Sequence, residues 1–289
     1  MQDHLKGVVI TALGVLCLVP DSLFVRLIDA EAFAIAFWRG LVAGTLIGLF
    51  VLVRMGAGAF GEVLRSSWHS YAYILFFGIS APGFVLAISL TSVANVVFIL
   101  ASMPVFAAVF SRIALGELIT ARMVWTMLGV FVGLAILLLG SKENEMTSLA
   151  GDLVALGVSV FFAAALTAVR AARARSMLPA VPIAMIGAAL VIALFVDVMA
   201  PFAEFWPLLL GHGAFIALAS GLMVLGPRYL GSAEVSLLIL LETVLAPLLV
   251  WAMLGENPGG WALVGGGVVI AVLMLSNLVV LLRLRRVAA

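Results

Sequence analysis

The chain has 289 residues, 65% hydrophobic and only 10% charged, with a formal net charge of +1 and a mean hydropathy of +1.32. Soluble domains carry about 25% charged residues because their surfaces face water, so the composition excludes an ordinary soluble protein and points to surfaces that face lipid. The single cysteine, Cys17, excludes an internal disulfide and any multi-cysteine metal site. Crossing a ~30 Å hydrocarbon core takes roughly 20 apolar residues, and breaking the chain at its polar and Gly/Pro punctuation gives ten such segments. In chain order they are 6–28, 32–53, 70–91, 94–114, 122–140, 149–170, 181–198, 208–229, 232–253 and 262–282. The first carries Asp3 beside Lys6 with no small-residue cleavage pattern after it, so it reads as a retained span rather than a signal peptide. The connections are short, and the most polar stretch, 141–148, reads as the linker between two halves.

Basic residues orient the spans, because cytoplasmic loops retain Lys and Arg. Lys6, Arg54, Arg65, Arg112, Arg122, Arg170, Arg173, Arg175, Arg228, Arg283, Arg285 and Arg286 fall at one set of ends; only Arg26, Arg39 and Lys142 fall toward the other. Both termini are therefore expected in the cytoplasm, with the chain in a bacterial inner (plasma) membrane. Trp206 and Trp261 then lie at the outer interface and Trp68 at the inner one, as an aromatic belt requires.

The halves repeat each other. Leu115-Gly116-Glu117 follows the fourth segment and Leu254-Gly255-Glu256 the ninth, 139 residues later, and Ala94 falls on Ala233 at that offset. Ala12-Leu13-Gly14-Val15 recurs as Ala155-Leu156-Gly157-Val158 at an offset of 143. Five spans per half make the second half enter from the opposite face, and inverted repeats of this kind build transporters whose two gates alternate around a central site. The expected fold is thus an all-α polytopic membrane protein of ten transmembrane helices in two inverted five-helix repeats, 1–142 and 149–289, joined by an outer linker at 143–148.

Several motifs resemble a known family. Arg39 in Ala-Phe-Trp-Arg-Gly, Met103-Pro104-Val105-Phe106, Leu115-Gly116-Glu117 and the glycines Gly129 and Gly133 are similar to the EamA-type repeat of the drug/metabolite transporter superfamily. The second half shows Leu241-Glu242 and Leu254-Gly255-Glu256; it departs at Thr243, where the family often has a proline, and Pro247 comes one turn later. The resemblance implies a secondary transporter of small organic metabolites, often an exporter, with amino acids, nucleobases, sugars and drugs among the family's substrates. The overall likeness leans to bacterial amino-acid exporters, including those for aromatic amino acids.

Charged and polar residues within spans are the candidate substrate-binding or gating groups. A charge at the centre of a span costs ~2.5–3.5 kcal/mol on insertion scales, so it faces a partner or water. Asp21 lies ~22 Å along the first span from Lys6 and Arg39 lies ~12 Å below the outer surface, depths that allow them to pair. The pair reads either as a structural lock between two helices or as an outer gate or substrate contact; Arg26 is a rival partner that points to a different face. Glu242, ~15 Å into the ninth span, is the deepest carboxylate. It reads as a neutral interhelical bond, or as a site for a substrate ammonium or a coupling proton. Pro82 and Pro104 are expected to break the helical ladder near mid-membrane, either as simple packing kinks or with freed carbonyls that line a cavity or are capped by the Ser80 and Ser102 hydroxyls. Asn95 and Asn277 read first as helix–helix hydrogen bonders, and Trp38 as a packing residue or a pocket wall. Gly40, Gly44 and Gly48 permit close approach within the bundle rather than dimerisation, so a monomer is expected.

Other classes lack their signatures. There is no Gly-x-x-x-x-Gly-Lys-Ser/Thr loop, no His-Glu-x-x-His and no Gly-x-Ser-x-Gly, and His4, His69 and His212 all fall near predicted span ends. No catalytic residue, metal ligand or cofactor is expected, and nothing points to nucleic acid; the partners are the lipid bilayer and a small-molecule substrate, with proton coupling as an option. The alternatives are a multidrug, nucleobase or other metabolite carrier of the same superfamily, and, less favoured, a channel.

Overall fold

A computed structural model of the chain describes residues 2–139, 147–172, 176–225, 229–230 and 232–288. Lys142, most of the 143–148 linker, Arg173, Arg175 and Arg228 lie outside the described residues.

Among the described residues all regular structure is helical. The helices are α1 (Gln2–Leu18), α2 (Asp21–Leu27), α3 (Ala32–Met55), α4 (Gly58–Ser66), α5 (Trp68–Leu90), α6 (Val93–Leu100), α7 (Met103–Leu115), α8 (Ala121–Leu139), α9 (Leu149–Ala171), α10 (Ala180–Ile192), α11 (Phe202–Leu225), α12 (Ser232–Leu254) and α13 (Gly260–Ala288). Helices suit lipid because every backbone N–H and C=O is satisfied within the segment. Eight stretches are long and apolar enough to cross a membrane; α10 and the apolar part of α12, Leu238–Leu254, are shorter and take the two remaining places.

Two spans are discontinuous. Pro20 interrupts the first between α1 and α2, and Asp21 sits in the first turn of α2, where a negative charge complements the helix dipole. The fourth breaks at Ala101 and Ser102, between α6 and α7, with Pro104 in the first turn of α7, where no backbone donor is needed. Pro82, by contrast, lies inside the unbroken α5, so the expected break there is not present. The Ser80 hydroxyl donates to Phe77 O at 3.1 Å and that of Ser102 to Ile99 O at 2.6 Å. Neither takes the carbonyl four residues before its proline, so the expected capping is displaced by one position.

Two other expectations are corrected. The seventh span ends as a helix at Ile192 and continues as turns, because Asp197 and Pro201 follow closely. The eighth starts at Phe202 rather than 208, its helix passing through Pro207. A short amphipathic helix, α4, joins α3 to α5.

Packing follows an internal two-fold. Exchanging the halves turns the α1–α11 contact into α9–α5 and the α1–α12 contact into the packing of α6 and α7 on α9, and all of these occur. The self-paired contacts α3–α10, α6–α12 and α8–α13 lie along the axis. Helix association in lipid relies on close packing rather than on a hydrophobic drive, and glycines supply the closeness. A Cβ at Gly133 would lie 2.8 Å from the Gly265 carbonyl oxygen, and one at Gly265 only 2.6 Å from that of Gly133. Gly44 similarly admits Ile186 and Gly40 the Met185 carbonyl, so the ladder on α3 serves the α3–α10 contact. The buried core runs through both halves, from Val25 and Ile35 through Val96 and Ile99 to Val158, Leu209 and Val250.

Candidate functional site

The polar residues gather at three levels. The start of α1 lies at one face of the bundle, called the terminal face, where Lys6 stands over the Tyr229 ring; the opposite face is called the far face below.

The inner cluster joins α2, α3, α11 and α12. Arg39 on α3 donates from Nε to Asp21 Oδ1 at 2.9 Å and from Nη2 to Oδ2 at 2.6 Å, a bidentate fork that fixes both side chains. His212 Nε2 on α11 meets Asp21 Oδ1 at 2.5 Å. Asp21, Arg39 and His212 are 4%, 9% and 0% exposed, so a buried carboxylate is shared between a guanidinium and an imidazole. Phe24 stacks on the His212 ring at 5.3 Å and Phe84 lies under the Arg39 guanidinium at 5.6 Å. These rings exclude water and leave the pair's interaction little screened. His212 Nδ1 and the neighbouring Ser22 hydroxyl are buried without a hydrogen-bond partner among the described residues.

Glu242, half-buried on α12, stands close enough to feel the charges of both Asp21 and Arg39. It makes no hydrogen bond to a described residue. Counting 1.5 Å per residue, the four groups lie ~9–18 Å from the far ends of their helices, toward the middle of the bilayer. Three carry the repeat's mark of discontinuity or depth that a sequence shows. His212 was missed because its span was started too late: with α11 beginning at Phe202, the ring falls in mid-helix rather than at an end.

The second cluster closes the far face. Arg26 does not compete for Asp21; its Nε donates to Glu256 Oε2 at 2.8 Å and its Nη2 to Thr91 O at 2.8 Å. Glu256 Oε1 also accepts from Val93 N at 2.7 Å, capping the start of α6 as an acid at a helix N-terminus should. Beside it, Asp152 accepts from Thr91 Oγ1 at 2.8 Å and from Asn95 Nδ2 at 3.0 Å. Asp152 is 0% exposed. Asn95 is therefore an interhelical bonder between α6 and α9. At the terminal face, Arg170 at the end of α9 pairs with Glu117 at 2.8 Å and with the Ser111 hydroxyl at 2.8 Å.

The remaining candidates hold the frame. Trp38 Nε1 donates to Val198 O at 2.7 Å while its ring stacks on Phe202 at 4.5 Å, which ties α3 to the turns after α10. Ser102 meets Ser159 across the α9 contact at 3.3 Å. Among the described residues no group of three or more His, Cys, Asp and Glu could hold a metal ion. Two surface hollows lie elsewhere, one in the apolar groove between α3 and α10 near Phe60 and Ile186, the other near Glu62 and Ser176.

Two copies of the EamA-like transporter family pattern match the chain, over residues 5–139 and 149–278. A solved crystal structure superposes with a TM-score of 0.65 at 20% identity, covering 98% of this chain and 99% of that one; this shows a shared fold. No match was found among curated proteins. The paired family matches, the two-fold packing of apolar helices and the repeated Leu-Gly-Glu turns agree, and the chain belongs to the EamA-like transporter family of the drug/metabolite transporter superfamily, as a multi-pass membrane protein.

Proposed function

We propose that the chain is a secondary transporter that exports small organic metabolites, amino acids including aromatic ones, from the cytoplasm by alternating access. The observation that carries this reading is the Asp21–Arg39–His212 cluster with Glu242 beside it. It is assembled from both repeats near mid-membrane, where inverted-repeat carriers place their site. Glu242 offers carboxyl oxygens to a substrate ammonium, and it has no described hydrogen-bond partner to displace. Arg39 uses Nε and Nη2 on Asp21; Nη1 faces no described hydrogen-bond partner and suits a substrate carboxylate. Phe24, Phe84 and Phe215 around these groups suit an aromatic side chain. The bias of Lys and Arg supports an inner-membrane protein with both termini in the cytoplasm.

The test is counterflow of labelled L-phenylalanine in liposomes holding the purified protein. Wild type accumulates label transiently against unlabelled substrate, and the Glu242→Gln variant inserts and folds normally but loses that uptake or its pH dependence. Wild-type counterflow by Glu242→Gln at every pH from mildly acidic to neutral reduces Glu242 to an interhelical contact. Uptake by wild type that never saturates with substrate fits a channel and defeats the carrier reading.

A further inference from the structure

The two ion pairs at opposite faces are the same construction used twice. Arg26 lies in the last turn of the first span and Arg170 in the last turn of the sixth, which are equivalent spans of the two repeats. Each reaches a glutamate that follows a fourth span of the other repeat through a Leu-Gly-Glu turn: Arg26 reaches Glu256, and Arg170 reaches Glu117. The two turn glycines share the left-handed backbone, Gly116 at φ 69° and Gly255 at φ 72°, so both glutamates leave their helices in the same direction. Because the repeats are inverted, one pair bridges the halves at the far face and the other at the terminal face.

The pairs are not equally strong. The far pair is 15% and 6% exposed, and the terminal pair 54% and 35%. Solvent screens the terminal pair far more. The far pair is also tied to Thr91 O and Val93 N and flanked by the Thr91–Asp152–Asn95 bonds. Carried across at the repeat offsets, Asp152 falls on Val9 and Thr91 on Leu230, both apolar, so these two positions do not repeat the lock.

From this we infer that Arg26–Glu256 and Arg170–Glu117 are the two reciprocal gates of the transport cycle, and that burial of the far pair together with the neighbouring Thr91–Asp152–Asn95 bonds makes the far gate the harder to open, so the resting carrier is closed at the far face. The inference rests on the transporter reading above, but the test below reads access rather than transport and can fail separately.

A single cysteine at Ser22, beside the central cluster, is placed in a Cys17→Ala background and labelled with a membrane-impermeant maleimide from each face of oriented vesicles. Losing a hydrogen bond to a charged group shifts a two-state equilibrium by about tenfold or more. Glu256→Gln should therefore raise far-face labelling about tenfold, and Asp152→Asn should raise it in the same direction. Glu117→Gln should leave far-face labelling unchanged, and any change it makes at the terminal face should be no more than a few-fold, as for exposed pairs. Arg26→Gln, which removes the other partner of the pair, should raise far-face labelling in the same direction, and it serves if Glu256→Gln does not fold. Far-face labelling that Glu256→Gln or Arg26→Gln leaves unchanged, or that rises equally with Glu117→Gln, overturns the inference.

Discussion

Replacing Asp21 with asparagine strands the Arg39 guanidinium inside the bundle, and the size of the penalty follows from the contacts. Asp21 meets Arg39 Nε, Arg39 Nη2 and His212 Nε2, and asparagine would turn an NH2 group toward one of the two Arg39 donors. Removing one partner of a buried pair costs about 3–5 kcal/mol, because the other charge remains uncompensated. Arg39→Lys keeps the charge but replaces the fork with a single ammonium, so it should cost less, about 1.5–3 kcal/mol, the worth of one charged hydrogen bond. In the double variant Asp21→Asn with Arg39→Gln no charge is stranded, and its loss should fall short of the summed single losses by about 2 kcal/mol. The assay is thermal unfolding in detergent, scored by the monodisperse fraction on size exclusion, with the charge swap Asp21→Arg/Arg39→Asp as a check that should recover part of the loss. Single losses that add to within about 0.5 kcal/mol would show that the two side chains do not depend on each other, and the central cluster would lose its frame.

Single cysteines at Ala200 and at Ser176, both exposed, should label from opposite sides of the membrane; labelling from the same side would refute the inverted ten-span arrangement. Gly133→Val should destabilise the α8–α13 contact by about 1–3 kcal/mol, since its Cβ alone would sit 2.8 Å from the Gly265 carbonyl oxygen, and an unchanged unfolding temperature would contradict this. Trp38→Phe should cost about 1 kcal/mol through the lost bond to Val198 O while leaving transport intact; loss of transport in a stable protein would instead make Trp38 part of the substrate path.

Hydropathy and the spacing of Leu-Gly-Glu are properties of the chain order, so span number, repeat and inversion were legible without coordinates. Lipid leaves no choice about backbone satisfaction, and a long apolar stretch has essentially one way to comply. Asp21 and Arg39 were legible for a similar reason: a charge in a span needs a partner, and their depths matched. Glu242 could be placed by depth but not by company, since nothing along α12 names its neighbours. His212 was lost to a boundary error of six residues at the start of α11. The serine caps of Pro82 and Pro104 were misread because helix continuity at a proline depends on surrounding helices that re-satisfy its carbonyl.

The sequence by itself determined that this chain spans a membrane repeatedly, in two halves facing opposite ways, with a few charges held within the bilayer. Tertiary structure decided which charges meet: Asp21 with Arg39 and His212 rather than with Arg26, and Arg26 with Glu256 across 230 residues. The division has a physical cause. Burial in lipid is a local demand that each segment answers with its own composition, whereas an ion pair depends on the azimuth of two helices about their axes, and helix packing alone sets that angle.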